Sequence, residues 1–323
     1  MIPLPPTTEV LSALQQDVLP GAGGAALVVC GFAILGRWAG ALGSAVAVVF
    51  GFAWGNFTFV KLKWEDTGRL LPWKMEDDAV GYEWLPRAAL LLVVVGLVSR
   101  WLGLLAARAL PEQRWWGANV LVWSPRIAAV VVASGWLTIG DAAKEWPVLR
   151  PALVVAMLLA WVTLDALARS GAGTQVAAYL GAMLFTGGVI FLYAHSAKST
   201  ELAVVLGSAL FGVAVAGTAI AAHSAKSDGS ASHIDVSGAV PAGVAFVPGL
   251  LLGARPWLTA QDVPPACFWL VALAPLVLLP VLIPAVSRKS GWYVPIIRAV
   301  LVLIPLVAAA LLAGEYAQMA FEE

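Results

Sequence analysis

Charge is scarce in this chain. Asp, Glu, Lys and Arg make up 12% of its 323 residues, about half the share of a soluble domain, while 61% are hydrophobic. So little polar surface excludes a water-soluble fold, because large apolar patches would be left facing water. The nineteen basic and nineteen acidic residues cancel, which excludes the positive field that a nucleic-acid partner would require. Histidine occurs three times and cysteine twice, with no Cys-x-x-Cys and no His-Glu-x-x-His, so neither a structural zinc site nor a zinc protease finds its parts. Gly-x-Ser-x-Gly and the Walker lysine loop are missing as well. His195 and His223 stand at the ends of apolar runs and not at the depth where a haem would need two facing ligands. The expectation is therefore a protein without metal, cofactor or catalytic residue. Cys30 and Cys267 lie in separate apolar runs and read as small hydrophobes, not as a disulfide. The first twenty residues contain no Lys or Arg, unlike a cleaved secretory signal.

What the chain does have is long apolar runs. Ten fall at 21–36, 39–60, 87–110, 117–140, 148–167, 176–195, 201–223, 236–252, 265–286 and 293–315. In hydrocarbon every backbone N–H and C=O must find a partner inside its own segment, so each run is expected to be helical. A porin-like barrel is excluded because runs such as 88–98 are continuously apolar where barrel strands alternate. The expected fold is an all-α polytopic bundle of about ten transmembrane helices, forming a single integral membrane domain over 1–323. The first and eighth runs are short, which leaves the count between nine and eleven.

Tryptophan marks the membrane boundaries. Of fifteen, twelve precede Val162, and Trp38, Trp84, Trp101, Trp115, Trp116 and Trp146 flank segment ends, as do Trp257 and Trp292. The ring is apolar and its N–H wants water, so this is an aromatic belt and not a ligand-stacking box. With ten crossings the two faces collect nine and eight basic residues, too even to orient the chain; the dense basic loop 61–87 leans toward a cytoplasmic N-terminus. Within it, 61–86 is expected to lie along the interface, its Glu76, Asp77, Asp78 and Glu83 reading as solvated charges and not as cation ligands. The expected location is a cell membrane of the bacterial inner type, with the lipid bilayer and an unknown small solute as the expected partners.

Four weak correspondences suggest halves at 20–168 and 171–316. Gly21-Ala22-Gly23 is answered by Gly171-Ala172-Gly173, and Leu42-Gly43-Ser44-Ala45 by Leu206-Gly207-Ser208-Ala209. Arg150 with Asp165 matches Arg298 with Glu315, and Pro125 matches Pro275 and Pro280. Five helices per half would make the halves insert in opposite directions, as in many secondary transporters. Separately, Ala-His-Ser-Ala-Lys-Ser occurs at 194–199 and again at 222–227. His and Lys near a helix C-terminus complement its dipole; the sharper alternative is a paired gate or proton relay at His195 and His223.

Ionisable side chains at membrane depth are the strongest functional pointers, since holding them there is costly. Arg126 follows Ser124 and Pro125. Either it lies inside the apolar layer and pairs with an anion or an acidic partner, or Ser124 caps a helix that starts at Pro125 and Arg126 sits at the interface. Asp165 is a candidate proton-exchanging carboxylate, although Arg169 stands one turn on and would pair with it. Arg100 and Arg298 read as snorkelling side chains. Prolines at 125, 248 and 275 mark segments four, eight and nine as interrupted, and freed backbone groups are tolerated at depth only where they line a cavity or meet protein. Together these make Arg126, Asp165, Ser124, Pro125, Pro248 and Pro275 the expected pathway of a small-solute secondary transporter or permease. The alternative, from a different class, is a non-catalytic scaffold or subunit of a larger membrane complex, with partner membrane subunits and no internal polar cavity.

Overall fold

A computed structural model describes residues 18–34, 40–59, 84–109, 115–138, 147–194, 196–228, 237–254, 263–282 and 293–322. Among these residues there are helices and no strands, the outcome that backbone satisfaction in hydrocarbon requires. They form α1 (Leu19–Ile34), α2 (Gly40–Phe59), α3 (Leu85–Ala109), α4 (Trp115–Leu137), α5 (Leu149–Leu167), α6 (Gly173–Tyr193), α7 (Ala197–Asp228), α8 (Ala239–Ala254), α9 (Pro265–Leu273) and α10 (Tyr293–Glu322). A π-helical turn, Ala168–Ala172, joins α5 to α6, and a 3-10 segment, Ala274–Leu282, continues α9.

Six helices contain stretches long and apolar enough to cross a bilayer: Arg87–Ala106, Asn119–Leu137, Leu149–Leu167, Gly173–Tyr193, Ser199–His223 and Tyr293–Ala317. Four further apolar stretches, Leu19–Phe32, Ala41–Gly55, Ala239–Gly249 and Pro265–Val281, are shorter. The 16 residues of α1 rise about 24 Å against about 30 Å of hydrocarbon. The structure thus supplies six clear candidate spans where the sequence suggested about ten. The loop 61–86 lies, apart from its last three residues, outside the described residues.

Consecutive helices alternate in direction. Ser99 of α3 meets Arg126 of α4, and Gly135 of α4 meets Arg150 of α5. On α3, Gly96 packs on Pro241 of α8, while Leu85 lies by Gly249. Leu180 of α6 packs on Gly243 and Leu251 on Gly187, so α6 runs parallel to α8 and antiparallel to α5. The ends of α3 and α5 and the starts of α4, α6 and α8 therefore share one face of the bundle.

Of the six candidate spans α7 is the most buried, with 67% of its apolar window inside, and α10 the least, with 28%. On α10 an exposed row of Ile296, Val300, Leu303, Val307 and Leu311 recurs every three or four residues, the spacing of a lipid-facing stripe. Inside, small residues let backbones close up where lipid offers no hydrophobic drive for association. A Cβ on Gly51 of α2 would stand 2.7 Å from the Gly21 carbonyl of α1. At Gly212 of α7 the Ala22 carbonyl of α1 occupies that place.

Candidate functional site

Arg126 occupies the middle of the 23-residue α4. Its helix begins at Trp115, so Ser124 is no N-cap and Pro125 is no first helical residue; Ser124 is exposed and Pro125 half-buried inside the helix. Arg126 itself is 3% exposed. A charge this buried must be compensated, and four groups do so. Its Nη1 donates to Asp165 Oδ2 at 2.7 Å. Its Nε donates to Ser99 Oγ at 2.7 Å. The Ser99 hydroxyl gives its own proton to the Gly96 carbonyl at 2.9 Å, so its lone pairs remain for the guanidinium. The guanidinium also lies over the rings of Trp123 and Trp161, at 4.8 and 5.1 Å from their centroids.

Helical spacing builds this cluster. Trp123 precedes Arg126 by three residues and Trp161 precedes Asp165 by four, so each pair shares a face. Asp165 is 5% exposed and pairs also with Arg169, which begins its approach from the π turn and keeps 59% of its side chain exposed. Both ion pairs of Asp165 end on the same oxygen, Oδ2.

These groups line a cavity of about 320 Å³ between α3, α4, α5, the π turn and the start of α8. Arg100, Ser99 and Gly103 come from α3, Asn119, Val122 and Arg126 from α4, and Trp161 and Asp165 from α5. Arg169, Ser237, Gly238 and Pro241 complete it, and Arg100 donates from Nη1 to the Ser237 hydroxyl. Among the described residues the ionisable lining is three arginines and one aspartate.

Of the pathway residues expected from the sequence, Arg126 and Asp165 are brought together in this cavity, and Ser124, Pro125, Pro248 and Pro275 are not in its lining. Pro248 is buried within a continuous α8 and Pro275 at the start of the 3-10 segment, and neither lines it. The site expected between segments four, eight and nine differs from this cavity, where α3 and α5 flank α4, α8 contributes only its first residues, and no described residue of α9 lines the wall. A helix absorbs one proline by losing one hydrogen bond, so α4 and α8 run on as helix through Pro125 and Pro248. His223 is exposed near the end of α7, and His195 lies outside the described residues.

The two copies of the hexapeptide adopt different structures. The first crosses the α6–α7 turn, where Ser196 Oγ donates to Ser199 Oγ at 2.9 Å and Thr200 bonds back to the Ser196 carbonyl. The second lies within the last turns of α7. Arg298, expected to snorkel, is 8% exposed, and its Nε has no hydrogen-bond partner.

Sequence reasoning missed Ser99, Arg100, Asn119, Trp161 and Ser237 as neighbours of the pair. Trp101 drew attention to a boundary, yet adjacent residues on a helix point about 100° apart. Trp101 is 61% exposed while Ser99 is fully buried and Arg100 turns into the cavity. The usable signal was the small-residue stripe Gly96, Ser99 and Gly103 along one face of α3 beside an arginine. Among the described residues no group of three His, Cys, Asp or Glu side chains could hold a metal. No protein-family model matches this chain, and neither does any curated protein or any solved structure.

Proposed function

We propose that this protein is a small-solute permease of a cell membrane, of the bacterial inner type, whose solute site is the Arg126–Asp165 cavity. The observation that carries the reading is a buried, ion-paired arginine at mid-helix, opening onto a polar cavity beside helices long enough to span a bilayer. A scaffold has no use for charges held at that depth, and it predicts apolar grooves where a charged cavity stands. The groups on the cavity wall are guanidinium, carboxylate, amide and hydroxyl, and the Ser99 hydroxyl is committed to a carbonyl and not to a base. That arrangement suits holding a charged solute and not covalent attack, so the reading is non-enzymatic.

The same reading takes about ten crossings in two halves of opposite insertion. In support, the short helices α1, α2, α8 and α9 alternate direction with their neighbours, and the close pairing of α1 with α2 is answered by that of α6 with α7. Against it, the extensive contact of α1 with α7 has no counterpart of similar extent between α6 and α2 among the described residues.

The test is reconstitution of the full chain into lipid vesicles and measurement of entry of phosphate, small carboxylates, amino acids and sugars. At least one solute should enter faster than into protein-free vesicles, and R126Q should abolish the difference. A panel that moves no faster than through bare lipid would refute the reading.

A further inference from the structure

We propose that the cavity binds a small oxyanion, through a carboxylate or phosphate group that competes with Asp165 for the guanidinium of Arg126. The inference deepens the permease reading and rests on it only for passage across the membrane, not for binding.

Charge is the first argument. Arg126 and Arg169 meet at the cavity with Asp165 as their shared carboxylate, which leaves these three groups one positive charge in excess, and Arg100 lines the same wall. Neither Asn119, Ser99 nor Ser237 supplies a countercharge. In a low-dielectric surrounding that excess repels a cationic solute and leaves a neutral one indifferent, whereas an anion relieves it. Geometry is the second. A guanidinium presents a planar fork of donors matched to two oxygens, and such bidentate pairs are the strong ones. Asp165 accepts from both Arg126 and Arg169 on one oxygen, so it satisfies the arginines incompletely and acts as an internal stand-in for a better acceptor. Trp123 and Trp161 hold the guanidinium of Arg126 over their rings and so fix its plane before a ligand arrives. Size is the third. About 320 Å³ lies at the small end of ligand sites, enough for a small carboxylate, phosphate or a headgroup, and too little for acyl chains. Arg169, with 59% of its side chain exposed, stands where an incoming anion would first meet the site.

The test uses the full chain in neutral detergent, with thermal unfolding followed by tryptophan fluorescence. Inorganic phosphate and succinate are each compared with sodium chloride at matched ionic strength. At least one should raise Tm in the wild type. The half-effective concentration should rise roughly tenfold or more in R100Q and fall roughly tenfold in D165N, where the internal competitor is gone. The R126Q/D165N double variant, which carries neither charge, should lose the response even if R126Q alone fails to fold. The proposal is overturned if neither anion outperforms chloride in the wild type and in D165N, or if D165N responds at the wild-type concentration.

Repeating the titration in phosphatidylcholine nanodiscs with and without phosphatidylglycerol separates the sources. Competition by the anionic lipid assigns a headgroup, and an unchanged response assigns a free anion; both support the oxyanion. Vesicle flux of an amino acid or sugar that R126Q abolishes, without any anion response, would sink this inference and leave the permease standing. Anion binding without flux of any solute would do the reverse.

Discussion

Asp165→Asn is the perturbation that most directly weighs the buried pair. It removes the one carboxylate facing Arg126 and Arg169 and leaves the guanidinium of Arg126, 3% exposed, with Ser99 and two indole faces. Breaking a buried pair from one side costs about 3–5 kcal/mol, because the surviving charge stays desolvated. The indole faces offset about 1–2 kcal/mol of that, which puts the expected loss near 3 kcal/mol. Arg126→Met is the milder change. Asp165 then keeps Arg169, whose half-exposed side chain lets solvent share the compensation, so a loss of about 2 kcal/mol is expected. The double variant removes both charges and should fall short of the sum of the singles by at least ~1 kcal/mol. Reversible unfolding in mixed micelles, followed by far-ultraviolet circular dichroism, measures all three. Additivity within about 0.5 kcal/mol, or an Asp165→Asn variant more stable than Arg126→Met, would refute the account of a charge stranded at depth. If the cavity takes an oxyanion, phosphate or succinate at a hundredfold its Kd should return about 2.7 kcal/mol to Asp165→Asn, enough to erase most of the deficit.

Trp161, 1% exposed and packed between Arg126 and Gly96, should cost about 3 kcal/mol when truncated to alanine, read by the same unfolding assay, with Trp161→Phe recovering most of it. Gly212→Ala should destabilise the chain by about 2 kcal/mol or more because its Cβ meets the Ala22 carbonyl, whereas Gly23→Ala, with open space around it, should be neutral to mildly stabilising, both read as unfolding midpoints. Of the two thiols, Cys30 is exposed on α1, a face that the permease reading sets against lipid, and Cys267 is buried. An apolar maleimide should therefore modify Cys30 alone in intact vesicles, and a sulfonated one should modify neither, as followed by mass spectrometry.

The fold class was legible because solvent decides it. Runs such as 88–98 have no polar side chain with which to form a half-wet strand, and the structure makes them helix. The number of crossings was less legible, since α1, α2, α8 and α9 are apolar over too few residues for composition to say whether they reach both faces. Arg126 and Asp165 were legible as charges inside apolar runs, but their meeting was not. They are 39 residues apart, and only the antiparallel packing of α4 and α5 brings them within 2.7 Å.

Pro125, Pro248 and Pro275 lie outside this cavity's lining while the small-residue stripe of α3 forms part of it, and the contrast has a physical basis. A proline alters its own helix, removing one backbone donor that a neighbour can replace. A stripe such as Gly96, Ser99 and Gly103 alters the space between helices: it withdraws side-chain volume along one face, where Pro241 and Val122 approach without filling the gap. That space became polar because Arg100 and Arg126 project into it, and a guanidinium desolvated there must be matched by acceptors. Asp165 therefore has to lie near the end of α5, on the face shared by the end of α3 and the starts of α4 and α8, where Arg169 can reach it from the π turn. Placed a few turns deeper, the carboxylate would lose Arg169 and solvent together, and Arg126 alone would have to hold it.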